Sequence, residues 1–220
     1  DASFANGILG SIIRANGEVN TQPKVYFVDG PGGTGKTYLF NALLDAVRRT
    51  GEYALAVATS GTASLLLKGG RTAHSMFEIP IQLSPTSMCN FRPLSNTGTL
   101  IKNCKLIIWD EASMISGDKL NTVDRSFRDV MKGVSPALKF VPFGGKVMVF
   151  GGDFRQVLPI VPRGNKLDIL SQCINQSTLW RHVQSLRLTE NMRVKQAMIN
   201  NDTHLANRLN VFAEYLLSIG

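Results

Sequence analysis

Four short, unbroken apolar runs punctuate the chain, and each ends in polar residues able to do chemistry. Residues 25–28 (VYFV) run into Asp29-Gly30, and residues 54–58 (ALAVA) into Thr59-Ser60-Gly61. Residues 106–109 (LIIW) run into Asp110-Glu111, and residues 147–150 (VMVF) into Gly151-Gly152-Asp153. Continuous runs, as opposed to strict alternation, predict strands covered on both faces, as in a parallel sheet. Between them the spacing turns helical. Leu39, Ala42, Leu43, Ala46 and Val47 mark one buried helix face. Leu120, Val123, Phe127, Val130 and Met131 mark another, which predicts Asp124, Arg125 and Arg128 on its solvent side. Leu205, Leu209, Phe212, Leu216 and Ile219 predict a closing amphipathic helix. The alternation predicts an α/β fold with a mostly parallel sheet flanked by helices. Ligands in such sheets collect at the carboxyl ends of the strands, which is where all four polar motifs fall.

Composition narrows this little. No stretch approaches the ~18 uninterrupted apolar residues of a membrane-spanning helix. The first residues carry neither a cationic start nor a long apolar stretch, so they do not read as a secretory signal. Cys89, Cys104 and Cys173 are scattered, and His74, His182 and His204 form no cluster, which argues against a disulfide framework or a zinc site. The formal charge of +8, from 24 Lys and Arg against 16 Asp and Glu, favours a polyanionic partner such as nucleic acid. There is no dense basic run, so folding must assemble any positive surface. The chain begins without Met and stops directly after a helical pattern, and it is expected to be part of something longer.

The sharpest signal is GPGGTGKT at residues 30–37, directly after a predicted strand and opening a predicted helix. Phosphate oxygens need close approach by backbone N–H groups, which glycine permits, and a helix N-terminus adds a favourable dipole. Gly30, Pro31, Gly32, Gly33, Thr34, Gly35, Lys36 and Thr37 are therefore the candidate nucleotide-binding residues. Lys36 is placed for the β- and γ-phosphates and Thr37 for Mg²⁺. Asp110 is the candidate second Mg²⁺ ligand, and Glu111 the candidate general base for an attacking water. Asp and Glu also suit a helix start, so the pair has a capping reading too. These features describe many P-loop enzymes. A phosphotransferase or an ATPase that does not move on DNA is the alternative. Gln156, in GDFRQVLP after the fourth run, and Arg193, in LTENMR, are placed to sense or stabilise the γ-phosphate.

With these motifs in order, the sequence resembles the Pif-type (petite integration frequency) DNA helicases of superfamily 1B, especially their plant- and transposon-associated relatives. The resemblance rests on GPGGTGKT, TSGTAS at 59–64, GGRTAHSMFEIP at 69–80, WDEASM at 109–114, PFGGKVMVFGGDFRQVLPIV at 142–161, LWRHV at 179–183 and LTENMR at 188–193. It implies that residues 1–220 form a first RecA-like motor domain, with a second one absent from this chain. It further implies ATP and Mg²⁺ as cofactors, and 5′-to-3′ unwinding in DNA repair, recombination or telomere maintenance. Single-stranded DNA and single-strand/duplex junctions are the implied partners, with no membrane, a monomeric state, and a nuclear and also mitochondrial address. Lys36, Glu111, Gln156 and Arg193 carry the implied catalysis. Thr59, Ser60, His74, Ser75 and Phe77 match the family's strand-contacting elements. Hydroxyls at a strand end suit phosphate oxygens, and His74 and Phe77 suit base stacking, although a core position suits Phe77 equally. The glutamine-containing segment that the family places before the P-loop finds no match.

Overall fold

The computed structural model describes residues 2–13, 22–155, 159, 165–200, 202, 204, 207–209, 211–213 and 215. Among them six strands form one sheet: β1 (Val25–Asp29), β2 (Ala54–Ala58), β3 (Arg71–Thr72), β4 (Leu106–Asp110), β5 (Val147–Gly152) and β6 (Val183–Arg187). Their order is β3-β2-β4-β5-β1-β6, and every pairing is parallel. Around the sheet lie helices α1 (Ala2–Ile13), α2 (Lys36–Arg49), α3 (Gly61–Leu66), α4 (Ala73–Phe77), α5 (Asn96–Asn103), α6 (Gly117–Met131), α7 (Lys166–Ser171) and α8 (Met192–Ile199). The expected parallel α/β fold is observed.

Alternate strand residues feed two separate cores, which is why the strand sequences are apolar without a break. On one face Phe27, Val57, Ile107, Trp109, Met148 and Phe150 pack with Phe77, Phe127 and Phe143 beneath α4, α5 and α6. On the other, Tyr26, Val28, Ala56, Ile108 and Val149 pack with Phe40, Leu43, Leu44 and Val47 of α2 and Ile8 of α1. The expected face of α2 is observed in part, with Leu43 and Val47 buried and Leu39 packed against the same core. Phe40 and Leu44 face inward, while Ala42 is exposed.

Asp124 is a second correction. It is buried, not on the solvent side of α6, because its carboxylate ion-pairs with Arg128 at 2.8 Å. It also accepts from the Phe143 N–H at 2.6 Å, where the chain turns through a left-handed conformation (φ 52°). Of the expected closing helix, Leu209 packs against Val194 and Ala197 of α8, whereas Leu205, Leu216 and Ile219 lie outside the described residues. The register then decides what meets at the carboxyl edge. Ala58 lies beside Asp110 and Thr72, and Asp29 beside Gly152 and Arg187.

Candidate nucleotide and strand site

The P-loop leaves β1 at Gly30 and enters α2 at Lys36. Gly33 (φ +90°) and Gly35 (φ +89°) hold it in left-handed conformations that favour glycine. No side chain caps α2 at Gly35, so its first amides stay available. Gly30 and Thr34 brace the loop from below. A β-carbon on Gly30 would meet Thr34 Oγ1 at 2.7 Å and Leu188 Cβ at 3.1 Å. The Thr34 hydroxyl donates to Pro31 O at 2.8 Å.

Pro31, Gly32, Gly33, Gly35, Lys36 and Thr37 line a cleft of about 920 Å³ whose other walls include Asp110, Glu111, Ser113, Asp153 and Arg193. The structure thus brings the P-loop, both acidic candidates and Arg193 to one cavity. Lys36 Nζ donates to Gly30 O and, at 3.3 Å, to Pro31 O. Burial lowers its pKa below the usual lysine value, opposed by the carboxylates of Asp110, Asp153 and Asp29. Arg193 is exposed on α8, and its aliphatic chain packs on Gly33, with Cδ at 3.4 Å from where a β-carbon would stand. Met192 N donates to Gly33 O at 2.9 Å, tying α8 to the phosphate loop.

Asp110 ends β4 with 6% of its surface exposed. Burial raises its pKa, against the pull of the Glu111 N–H and of Lys36. Its Oδ1 accepts from Glu111 N at 2.8 Å. Glu111 itself adopts a left-handed conformation (φ 54°, ψ 39°), and its carboxylate does not serve as a helix cap. Instead Glu111 Oε2 accepts from Ser60 Oγ at 2.8 Å.

The residues of the strand-contacting elements divide. Thr59 and Ser60 follow β2, and His74 and Ser75 follow β3, so both pairs leave the sheet at the same edge. Ser75 is exposed and His74 half-buried, its pKa lowered first by burial and then by Lys119. Two assignments need correcting. Phe77 has 0% exposure, and its ring sits 5.2 Å edge-on from Phe127 and 5.7 Å from Trp109, so no face is open to a base. Thr59 spends both its donors inside the protein, its N–H on Asp110 O at 3.1 Å and its hydroxyl on Glu111 O at 2.8 Å. Its oxygen also accepts from Trp109 Nε1 at 3.1 Å. It braces β2 to β4 and has no donor left for a phosphate.

Gln156 lies outside the described residues. The segment leading to it is anchored by Asp153, whose Oδ1 accepts from Arg155 N at 3.1 Å and Arg155 Nε at 2.8 Å. Asp153 and Ser113 line the cleft yet were not singled out from the sequence. An acidic residue closing an apolar run was the available signal for Asp153. Gly151 is required by packing beside them. A β-carbon on Gly151 would meet the Phe40 ring at 2.4 Å and Asp110 Oδ1 at 2.9 Å.

The cleft fits a magnesium nucleotide. Among the described residues no three His, Cys, Asp or Glu side chains form a metal cage. Mg²⁺ in nucleotide sites commonly takes one or two protein oxygens and completes its shell with phosphates and water, which the Thr37 hydroxyl and the Asp110 carboxylate suit. No described helix is long and apolar enough to cross a membrane.

Comparison with known proteins agrees with this geometry. ATP-dependent DNA helicase PIF1 of Mus musculus is 34% identical over 172 residues, which cover 74% of this chain and 24% of that protein. The crystal structure of Bacteroides sp Pif1 in complex with ADP-AlF4 is 26% identical, with a TM-score of 0.62, over 90% of this chain and 46% of that one. A structure of two coordinating Pif1 helicases unwinding forked double-stranded DNA matches equally, at 26% identity and a TM-score of 0.62, over 84% of this chain and 43% of that one. The chain thus spans about a quarter of the length of the curated relative. The PIF1-like helicase family model matches residues 6–220, and the chain belongs to that family.

Proposed function

We propose that residues 1–220 form the first RecA-like motor domain of an ATP-dependent DNA helicase that moves 5′-to-3′ on single-stranded DNA. The observation that carries this is one cleft holding a P-loop, Asp110, Glu111 and Arg193 in a chain of the PIF1-like helicase family. The Bacteroides relative with ADP-AlF4 supports a nucleotide in the cleft, and the forked-DNA relative supports a DNA partner with a junction.

The residues divide the work by position. The amides around Gly33 and Gly35 and the start of α2 bind phosphate oxygens. Lys36 exchanges the Gly30 and Pro31 carbonyls for the β- and γ-phosphates. Thr37 and Asp110 hold Mg²⁺, which neutralises charge on the phosphates. Glu111 takes a proton from the water that attacks the γ-phosphorus, as the bond to the departing ADP oxygen breaks. Arg193 stabilises the charge that develops there. A second RecA-like domain closes over this cleft in the proposed motor, and Gln156 reports the nucleotide state. Ser60, His74 and Ser75 face the strand, and the action of a monomer in the nucleus completes the reading.

The test is ATP hydrolysis by the full-length protein with and without single-stranded DNA, across a salt series. Stimulation that fades as salt rises is expected, because phosphate contacts release counterions. Hydrolysis indifferent to DNA refutes the motor and favours an ATPase or phosphotransferase uncoupled from DNA.

A further inference from the structure

The carboxylate assigned as the base is not free. Ser60 Oγ donates to Glu111 Oε2 at 2.8 Å, and among the described residues no second donor reaches that carboxylate. The same hydroxyl oxygen accepts from Ala63 N at 3.2 Å, capping the start of α3. Ser60 is therefore held between a helix start and the hydrolytic glutamate.

A serine hydroxyl carries one hydrogen, and the non-bridging oxygens of a DNA phosphodiester can only accept. A strand phosphate that bonds the Ser60 hydroxyl must take its hydrogen away from Glu111. Thr59 does not bond the carboxylate: its N–H goes to the Asp110 carbonyl and its hydroxyl to the Glu111 carbonyl. Nor does the backbone of Glu111 have much freedom to follow the exchange. Its N–H is held by Asp110 Oδ1 at 2.8 Å and its carbonyl by Thr59 Oγ1 at 2.8 Å. What the exchange releases is the Glu111 side chain alone.

We propose that Ser60 is a positioning residue that restrains Glu111 until a strand phosphate takes its hydroxyl, so that one hydrogen couples strand binding to hydrolysis. The proposal rests on the reading of the cleft as an ATP site and of the β2 edge as facing DNA. A hydrogen bond to a charged group shifts an equilibrium by roughly tenfold or more, which sets the scale of stimulation this donor controls.

The experiment measures steady-state ATP turnover of the full-length protein, with and without a single-stranded oligonucleotide, for wild type, Ser60→Ala and Ser60→Thr. Without DNA, Ser60→Ala is expected to raise kcat about tenfold while KM for ATP stays within about twofold, and DNA then adds little. A merely structural role for Ser60 would lower kcat or raise KM. Ser60→Thr, which keeps the hydroxyl, is expected to return the stimulation factor to the wild-type range. If loss of the cap unfolds Ser60→Ala, Ser60→Gly repeats the test, since glycine is tolerated at an N-cap. A basal kcat at or below wild type overturns the restraint, and so does a DNA stimulation factor as large as that of wild type. A wild type that hydrolyses ATP but ignores DNA overturns the strand-motor reading, while the basal rate of Ser60→Ala still decides whether Ser60 restrains Glu111.

Discussion

Phe77 offers the cleanest test of how the strand element is built. Its motif suggests base stacking, whereas its ring is wholly buried between Trp109 and Phe127. Phe77→Ala removes a side chain from the larger core. The loss of transfer energy and the cavity left behind cost about 3–5 kcal/mol for a buried Phe. The edge-on contact with Phe127, with centroids 5.2 Å apart, sits within that figure as roughly 0.5–1.5 kcal/mol. For a domain of about this size each kcal/mol lowers Tm by roughly 2–4 °C, so a fall of about 6–20 °C is expected. Thermal melting followed by circular dichroism reads this directly. Phe77→Leu, which keeps most of the volume, is expected to recover a large part of the loss. DNA affinity, measured by fluorescence anisotropy well below the melting point, is expected to change little in Phe77→Leu. If Phe77→Ala melts within about 2 °C of wild type yet binds DNA far more weakly, the ring is on the surface and the core reading is wrong.

Two further predictions concern the carboxylates. Glu111→Gln is expected to keep nucleotide binding and lose turnover by roughly 10²–10⁴, the usual share of a general base, whereas Lys36→Ala is expected to lose both; comparable turnover in Glu111→Gln would remove it as the base. Asp110→Asn is expected to abolish hydrolysis while raising the melting temperature at neutral pH. Burial raises the Asp110 pKa, so between its unfolded and folded values the native chain binds more protons, and stability falls as pH rises through that window. The advantage of Asp110→Asn should therefore shrink as pH falls from the raised folded value to the ordinary carboxylate value, and a gap that does not change across that window in thermal melts would contradict the burial argument.

How far the fold could be read in the sequence depends on where each element sits in the sheet. β1, β2, β4 and β5 are interior strands with neighbours on both sides and cores on both faces, and their unbroken apolar runs announce them. β3 and β6 are the two edges. β3 is only Arg71-Thr72, and β6 reads Val-Gln-Ser-Leu-Arg with its polar positions exposed. An edge strand half open to water leaves no continuous apolar signal. The face of α2 was legible only in part, because alanines count as apolar in a pattern but contribute little buried area. Phe40 and Leu44 join Leu43 and Val47 in the core, while Ala42 is exposed. Asp124 looked like a solvent residue because its partner, the Phe143 amide, is remote in sequence and meets it only after folding.

The candidate site shows the same division between local and long-range information. Residues 30–37 are contiguous, and their backbone does the work, so the motif itself carries the geometry. Nothing local in Thr59 or Phe77 distinguishes a brace or a core ring from a ligand contact. Their roles follow from the register that sets Ala58 beside Asp110, and from α4 turning Phe77 inward.

That register also explains why the strain sits at Glu111. β4 lies between β2 and β5, and β5 lies beside β1, so β4 is the wall shared by the phosphate loop and the β2 edge. Asp110 interacts with Lys36 on the phosphate side, while its neighbour in sequence reaches the Ser60 hydroxyl. Two adjacent carboxylates can serve the two sides only if the chain changes course between them. The left-handed turn at Glu111 (φ 54°) makes that change, at a cost on the order of 1–3 kcal/mol for a residue with a β-carbon. Glycine would relieve the strain but remove the carboxylate. Asp110 Oδ1 and Thr59 Oγ1 instead hold the turn from both ends of the residue, through its N–H and its carbonyl. The strain is thus borne at the residue where the phosphate site and the strand edge meet, and the bonds that hold it are the ones that fix the position of the base.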